Sequence, residues 1–164
     1  MMAASHMALG GAAWVVVTKL GGAAPELSAA GMGMAVLGAL LPDIDHPGSA
    51  VGRRLWMISR PLSMLIGHRG LTHSLLAVLA GVAALVLVAP SSDLAVFVAP
   101  LAVGYLSHLA ADALTPSGVP LLWPAKRRFG IALCSTGGPA EMLTVAAWLA
   151  LAAWLAGPEA LGIG

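Results

Sequence analysis

Five stretches of the chain run free of charge: Met7–Thr18, Leu27–Pro42, Ser74–Pro90, Leu94–Ser107 and Met142–Pro158. A helix needs about 20 apolar residues to cross the hydrocarbon core of a bilayer. The third and fifth runs approach that length unaided. The fourth reaches it only if its helix continues through His108 to Asp112. The first two are short and glycine-rich, which suits thin, tilted or incompletely spanning helices. The pattern predicts an all-α polytopic membrane bundle of about five transmembrane helices, forming a single domain over residues 1–164.

Composition strengthens this reading. Of 164 residues, 59% are hydrophobic and only 9% charged, and the mean hydropathy is +0.92. A soluble domain carries about 25% charged residues because its surface faces water, so most of this surface is expected to face lipid. The net charge of +1 gives no sign of a nucleic-acid binder, and no stable nucleic-acid partner is expected. Cys134 stands alone, which excludes an intramolecular disulfide and a cysteine metal cluster. The first apolar run carries His6 near its start and lacks a basic leader, so no cleavable signal peptide is expected. The alanine, leucine, valine and glycine bias is what lipid and close helix packing require.

Basic residues orient the spans. Arg53, Arg54, Arg60 and Arg69 lie between spans two and three, and Lys126, Arg127 and Arg128 lie between spans four and five. If spans three and four form a hairpin around Ala89–Asp93, both loops share one side, which should be cytoplasmic. Trp56 and Trp123 fall in the same loops, where indole rings suit the headgroup layer. A cytoplasmic N-terminus and an external C-terminus follow, with the oligomeric state left open.

The chain has five histidines and seven acidic residues. His6 opens span one, Asp43, Asp45 and His46 close span two in LPDIDHP, and His68 and His73 open span three in GHRGLTHS. His108 and Asp112 end span four in GYLSHLAADALTP, and Glu141 opens span five. With alternating spans, all of these land at the cytoplasmic end. Ionisable groups at membrane depth are costly and are usually paired, buried or functional. The i, i+4 spacing of His108 and Asp112 puts both on one helix face, where they can share a metal ion. Thr72 is a candidate N-cap for span three. Imidazole and carboxylate without thiolate suit Zn²⁺, Mn²⁺ or Fe²⁺. So many candidate ligands exceed one tetrahedral ion and suggest two or three. Clustered metals favour phosphoester hydrolysis by metal-activated water, with Asp43 or Asp45 as the base.

Plainer readings exist for each residue alone. His46 fits an interfacial polar residue, Asp43 or Asp45 could pair with Arg53 or Arg54, Glu141 suits a first helical turn, and His6 sits near a fraying end. Positive-inside sorting explains the basic loops, so a substrate-phosphate role for Arg69 or Arg54 is secondary. Met32, Met34 and Met64 read as packing residues.

LPDIDHPGS, GHRGLTHSLLAV and GYLSHLAADALTPSGVPLLWP together resemble the YdjM-type, LexA-regulated, membrane-bound metal-dependent hydrolases of bacteria, over roughly His6 to Glu141. The resemblance implies a small inner-membrane protein, expression tied to the SOS response, and metal-site positions at His6, Asp43, Asp45, His68, His73, His108, Asp112 and Glu141. The pattern is also distantly similar to the zinc phospholipase C and single-strand nuclease superfamily, although here the ligands cap membrane helices. A site at headgroup depth implies membrane lipids as partners and a lipid or lipid-anchored substrate. The rival readings are a non-catalytic scaffold holding structural metal and a metal transporter, the latter disfavoured by Leu75–Pro90 and Met142–Pro158, where Thr144 is the only polar residue.

Overall fold

The computed structural model describes residues 1–21, 29–66, 70–88 and 92–158. The described chain is helical, with one isolated antiparallel bridge between Val119 and Phe129. Its helices are α1 (Ala3–Leu20), α2 (Ala29–Leu40), α3 (Ala50–Arg54), α4 (Trp56–Ile66), α5 (Leu75–Val88), α6 (Ser92–Ala113) and α7 (Pro139–Ala156). Short 3₁₀ turns at Leu41–Asp45 and Leu71–His73 extend α2 and precede α5.

α1 is the axis of the molecule and packs against α2, α6 and α7. Its run of small residues lets neighbours approach closely, and Trp14 beneath them is 2% exposed. The tightest crossing joins α2 to α6 backbone to backbone. A Cβ on Gly38 would lie 2.1 Å from the Leu101 carbonyl oxygen, and one on Gly104 would lie 1.9 Å from that of Ala35. Gly10 of α1 grips the same stripe from the other side, 2.6 Å from Ala39 Cβ by the same construction. Glycine is required at this junction because any side chain would drive the helices apart. Small residues at helix interfaces serve this purpose in membranes, where apolar burial alone gives little drive for association.

α6 runs unbroken through His108 and Asp112, the continuation that the fourth apolar run needed. α7 is the one described helix long and apolar enough to cross a bilayer, while α5 and the Phe97–Ala113 part of α6 are apolar but shorter. Thr72 does not cap α5. Ser74 takes that role, accepting from the Ala77 amide at 3.2 Å, because Thr72 sits one turn earlier and faces Asp45. The basic segment after α2, expected as a loop, instead folds into α3 and α4. Ser49 caps α3 by accepting from the Gly52 amide at 2.8 Å. α4 packs on the Leu41–Asp45 turn and leaves Trp56, Met57, Met64 and Leu65 exposed.

Candidate metal centre

The end of α6 forms the floor of a cluster built from four further segments. His108 Nδ1 lies 2.7 Å from the Ala39 carbonyl oxygen, to which it donates. A carbonyl only accepts, so the proton is on Nδ1 and the lone pair is on Nε2. His73, brought in by the turn before α5, has Nδ1 3.7 Å from Asp45 Oδ2 and 3.1 Å from the Thr72 hydroxyl. The Thr72 hydroxyl in turn donates to Asp45 Oδ2, and Tyr105 donates to the Thr72 carbonyl. A carboxylate beside Nδ1 fixes the proton there and leaves the Nε2 lone pair inward. The two Nε2 atoms face each other at 3.4 Å.

Asp112 closes the cluster. Its Oδ2 lies 3.9 Å from the Nε2 of both His73 and His108, while its Oδ1 lies 3.3 Å from His6 Nε2. The same Oδ1 is 2.7 Å from the Met1 ammonium. His6 stacks on His108 with ring centroids 3.7 Å apart, and its buried Nδ1 has no hydrogen-bond partner among the described residues. Asp43, from the turn after α2, completes the arrangement with Oδ1 3.9 Å from His108 Nε2. Two sets of donors, His6/His108/Asp112 and Asp43/His73/His108, each have their ligand atoms within 4.8 Å of one another. Inward lone pairs and carboxylate oxygens repel unless positive charge lies between them. An ammonium already sits on Asp112, and the donor set fits a divalent cation.

Among the described residues, the cluster reaches the surface at Asp43. The side chains of His6, His73, His108, Asp112 and Asp45 are at most 2% exposed, whereas that of Asp43 is 18% exposed. Asp43 borders a cavity of about 320 Å³ lined also by His46, Ser49, Arg53 and Thr136.

The structure sorts the residues singled out from sequence. His6, Asp43, His73, His108 and Asp112 are brought together. Asp45 lies behind His73, against its outer nitrogen, and belongs to neither donor set. Glu141 also stands outside both, because the start of α1 engages it: Oε1 accepts from the Met2 amide at 2.8 Å and from the Ser5 hydroxyl, and Oε2 from the Gly137 amide at 2.8 Å. His46 is exposed at the cavity wall, and Arg54 is exposed without lining that cavity. Among the described residues, Asp43 forms no ion pair with Arg53 or Arg54, so that part of the simple pairing of Asp43 or Asp45 with these arginines is absent. His68 and Arg69 lie outside the described residues. Sequence reasoning missed the Ala39 carbonyl, which no side chain announces. It also missed Thr72 as the partner of Asp45, although the hydroxyl next to His73 in GLTHS was a usable signal.

A family model described as "YdjM inner membrane protein" matches residues 1–162. Inner membrane protein YdjM of Escherichia coli (strain K12) is 54% identical over 97 residues, covering 58% of this chain and 50% of the relative. The protein of the same name from Shigella flexneri matches to the same extent, at 54% over 97 residues, again 58% and 50%. Uncharacterized protein YvsG of Bacillus subtilis (strain 168) is 38% identical over 111 residues, covering 67% of this chain and 68% of its own. The chain thus spans about half the length of the YdjM relatives it matches. No solved structure matches it. The chain belongs to the YdjM inner membrane protein family.

Proposed function

We propose that this protein is a metal-dependent hydrolase of the bacterial inner membrane, acting on a phosphoester in a lipid or lipid-anchored substrate. The carrying observation is the convergence of His6, Asp43, His73, His108 and Asp112 from four separate segments into one largely buried cluster. Buried ionisable groups in a membrane protein are functional by default.

In this reading α1, α2 with its turn, α5, α6 and α7 are the spans. At 1.5 Å per residue, α1 and α7 are about 27 Å long and α6 about 33 Å, against a core of about 30 Å. The alternating spans put the cluster at the cytoplasmic leaflet, with the N-terminus inside. His73, His108 and Asp112, with His6 and Asp43 beside them, would hold the ion. Zinc fits best, with manganese or iron as alternatives. A bound divalent ion supplies Lewis acidity and lowers the pKa of water. His108 Nε2 has one lone pair and would serve one ion only. Asp43, the one cluster carboxylate reaching the open side, is the proton acceptor. Asp45 holds the His73 tautomer.

The burial of every other ligand favours a second reading, in which the metal is structural. Detergent-purified protein separates the two. Hydrolysis predicts bound metal, cleavage of a phosphodiester lipid, and loss of both in Asp112→Asn. Full metal content with no cleavage of phosphomonoesters or phosphodiesters, in lipid or soluble form, would leave the structural role.

A further inference from the structure

Among the described residues, Asp43 is the member of the cluster that reaches the surface, and the opening beside it has its own chemistry. Arg53 lines the same cavity as Asp43. Its Nη1 donates to the Gly48 carbonyl at 3.0 Å, and it pairs with no carboxylate among the described residues. Of its five N–H donors, four therefore remain. Its position is fixed locally: the Ser49 hydroxyl donates to the Asp43 carbonyl at 2.8 Å while capping α3, which ties the turn bearing Asp43 to the helix bearing Arg53. Arg54 points about 100° away around that helix and does not line the cavity. Thr136 is exposed at the cavity with no hydrogen bond from its side chain among the described residues, and His46 and Met1 are among the other lining residues.

We infer that this cavity seats the phosphate group of the substrate, with Arg53 as its cationic wall and Thr136 as a neutral donor. The assignment rests on the hydrolase reading for the site it serves. An unpaired planar fork beside a cluster of cation ligands suits an anion with several acceptor oxygens, and guanidinium meets phosphate through paired N–H···O bonds. The same chemistry fits a lipid headgroup or a free phosphate ester.

Binding, measured without turnover, tests this. Zinc-loaded full-length protein is titrated with inorganic phosphate in detergent and, separately, with phosphatidic acid in phosphatidylcholine nanodiscs. Arg53→Gln is expected to weaken phosphate binding by about ten-fold or more, Arg53→Lys by less, and Arg54→Gln hardly at all. A matching loss in the nanodisc arm identifies a lipid source, and a loss confined to inorganic phosphate identifies a soluble one. Unchanged affinity in Arg53→Gln, with metal content intact, overturns the subsite while leaving the hydrolase reading standing. An Arg53-dependent affinity in a protein that cleaves no phosphoester keeps the subsite and sinks the hydrolase.

Discussion

Gly104→Ala is the sharpest perturbation of the link between helix packing and the cluster, because it adds one methyl group four residues from His108 and touches no proposed ligand. The added Cβ would lie 1.9 Å from the Ala35 carbonyl oxygen, where ordinary contact begins at 3.4 Å, so α2 and α6 must separate by about 1.5 Å. The neighbouring atoms are backbone and cannot rotate aside. A shift of that size takes the 2.7 Å bond from His108 Nδ1 to the Ala39 oxygen beyond about 4 Å, where no hydrogen bond remains. Overpacking of this kind costs about 1–3 kcal/mol. Loss of the partner that orients a ligating histidine lowers metal affinity about 10–100-fold. The assay is zinc competition against a chromophoric chelator in detergent, alongside thermal unfolding. Gly33→Ala is the control: it lies on α2, its Cβ would meet nothing within 4 Å, and it should leave both readouts at or above wild type. If Gly104→Ala binds zinc and unfolds like wild type, the crossing does not position His108 and the reasoning fails.

Two further predictions follow from the same geometry. Glu141→Gln sets an amide NH₂ against either the Gly137 amide or the Met2 and Ser5 donors, a loss of about 1–3 kcal/mol. The melting temperature should fall with metal per folded protein unchanged, whereas loss of one metal equivalent at an unchanged melting temperature would make Glu141 a ligand. Chelation of the purified protein should lower its melting temperature, and zinc should restore it, since an ion bound by the folded state alone stabilises that state. A melt insensitive to chelator and to added zinc would show that the cluster holds no ion.

The ends of the helices were legible and their surroundings were not. Histidines and carboxylates at the tips of apolar runs announce a meeting point once the runs alternate, which is why His6, Asp43, His73, His108 and Asp112 were found. Which of the acids would ligate was not readable. Asp45 and Glu141 differ from Asp112 only in the neighbours that tertiary structure brings, Thr72 from 27 positions away and Ser5 from 136. α4 was not legible because Arg60 interrupts its apolar pattern and Arg53 and Arg54 of α3 stand just before it, so no uncharged run marks it. The burial of the middle of α1, residues 9–15, was equally hidden, since its alanine- and glycine-rich sequence has no polar face to contrast with an apolar one.

In the proposed topology, the position of the cluster has a physical reason. Irregular backbone at membrane depth is tolerated only where protein satisfies its polar groups. The residues that depart from α-helix here, Leu41–Asp45 and Leu71–His73, carry Asp43, Asp45, Thr72 and His73. The Thr72 hydroxyl joins the two turns by donating to Asp45, and the Tyr105 hydroxyl of α6 holds the second by donating to the Thr72 carbonyl. Ala39 at the end of α2 supplies the carbonyl for His108. The bonds that make these breaks acceptable are thus the ones that orient His73 and His108 inward. Stability of the broken helix ends and geometry of the ligands are one network, so a substitution that relaxes either should be felt in both.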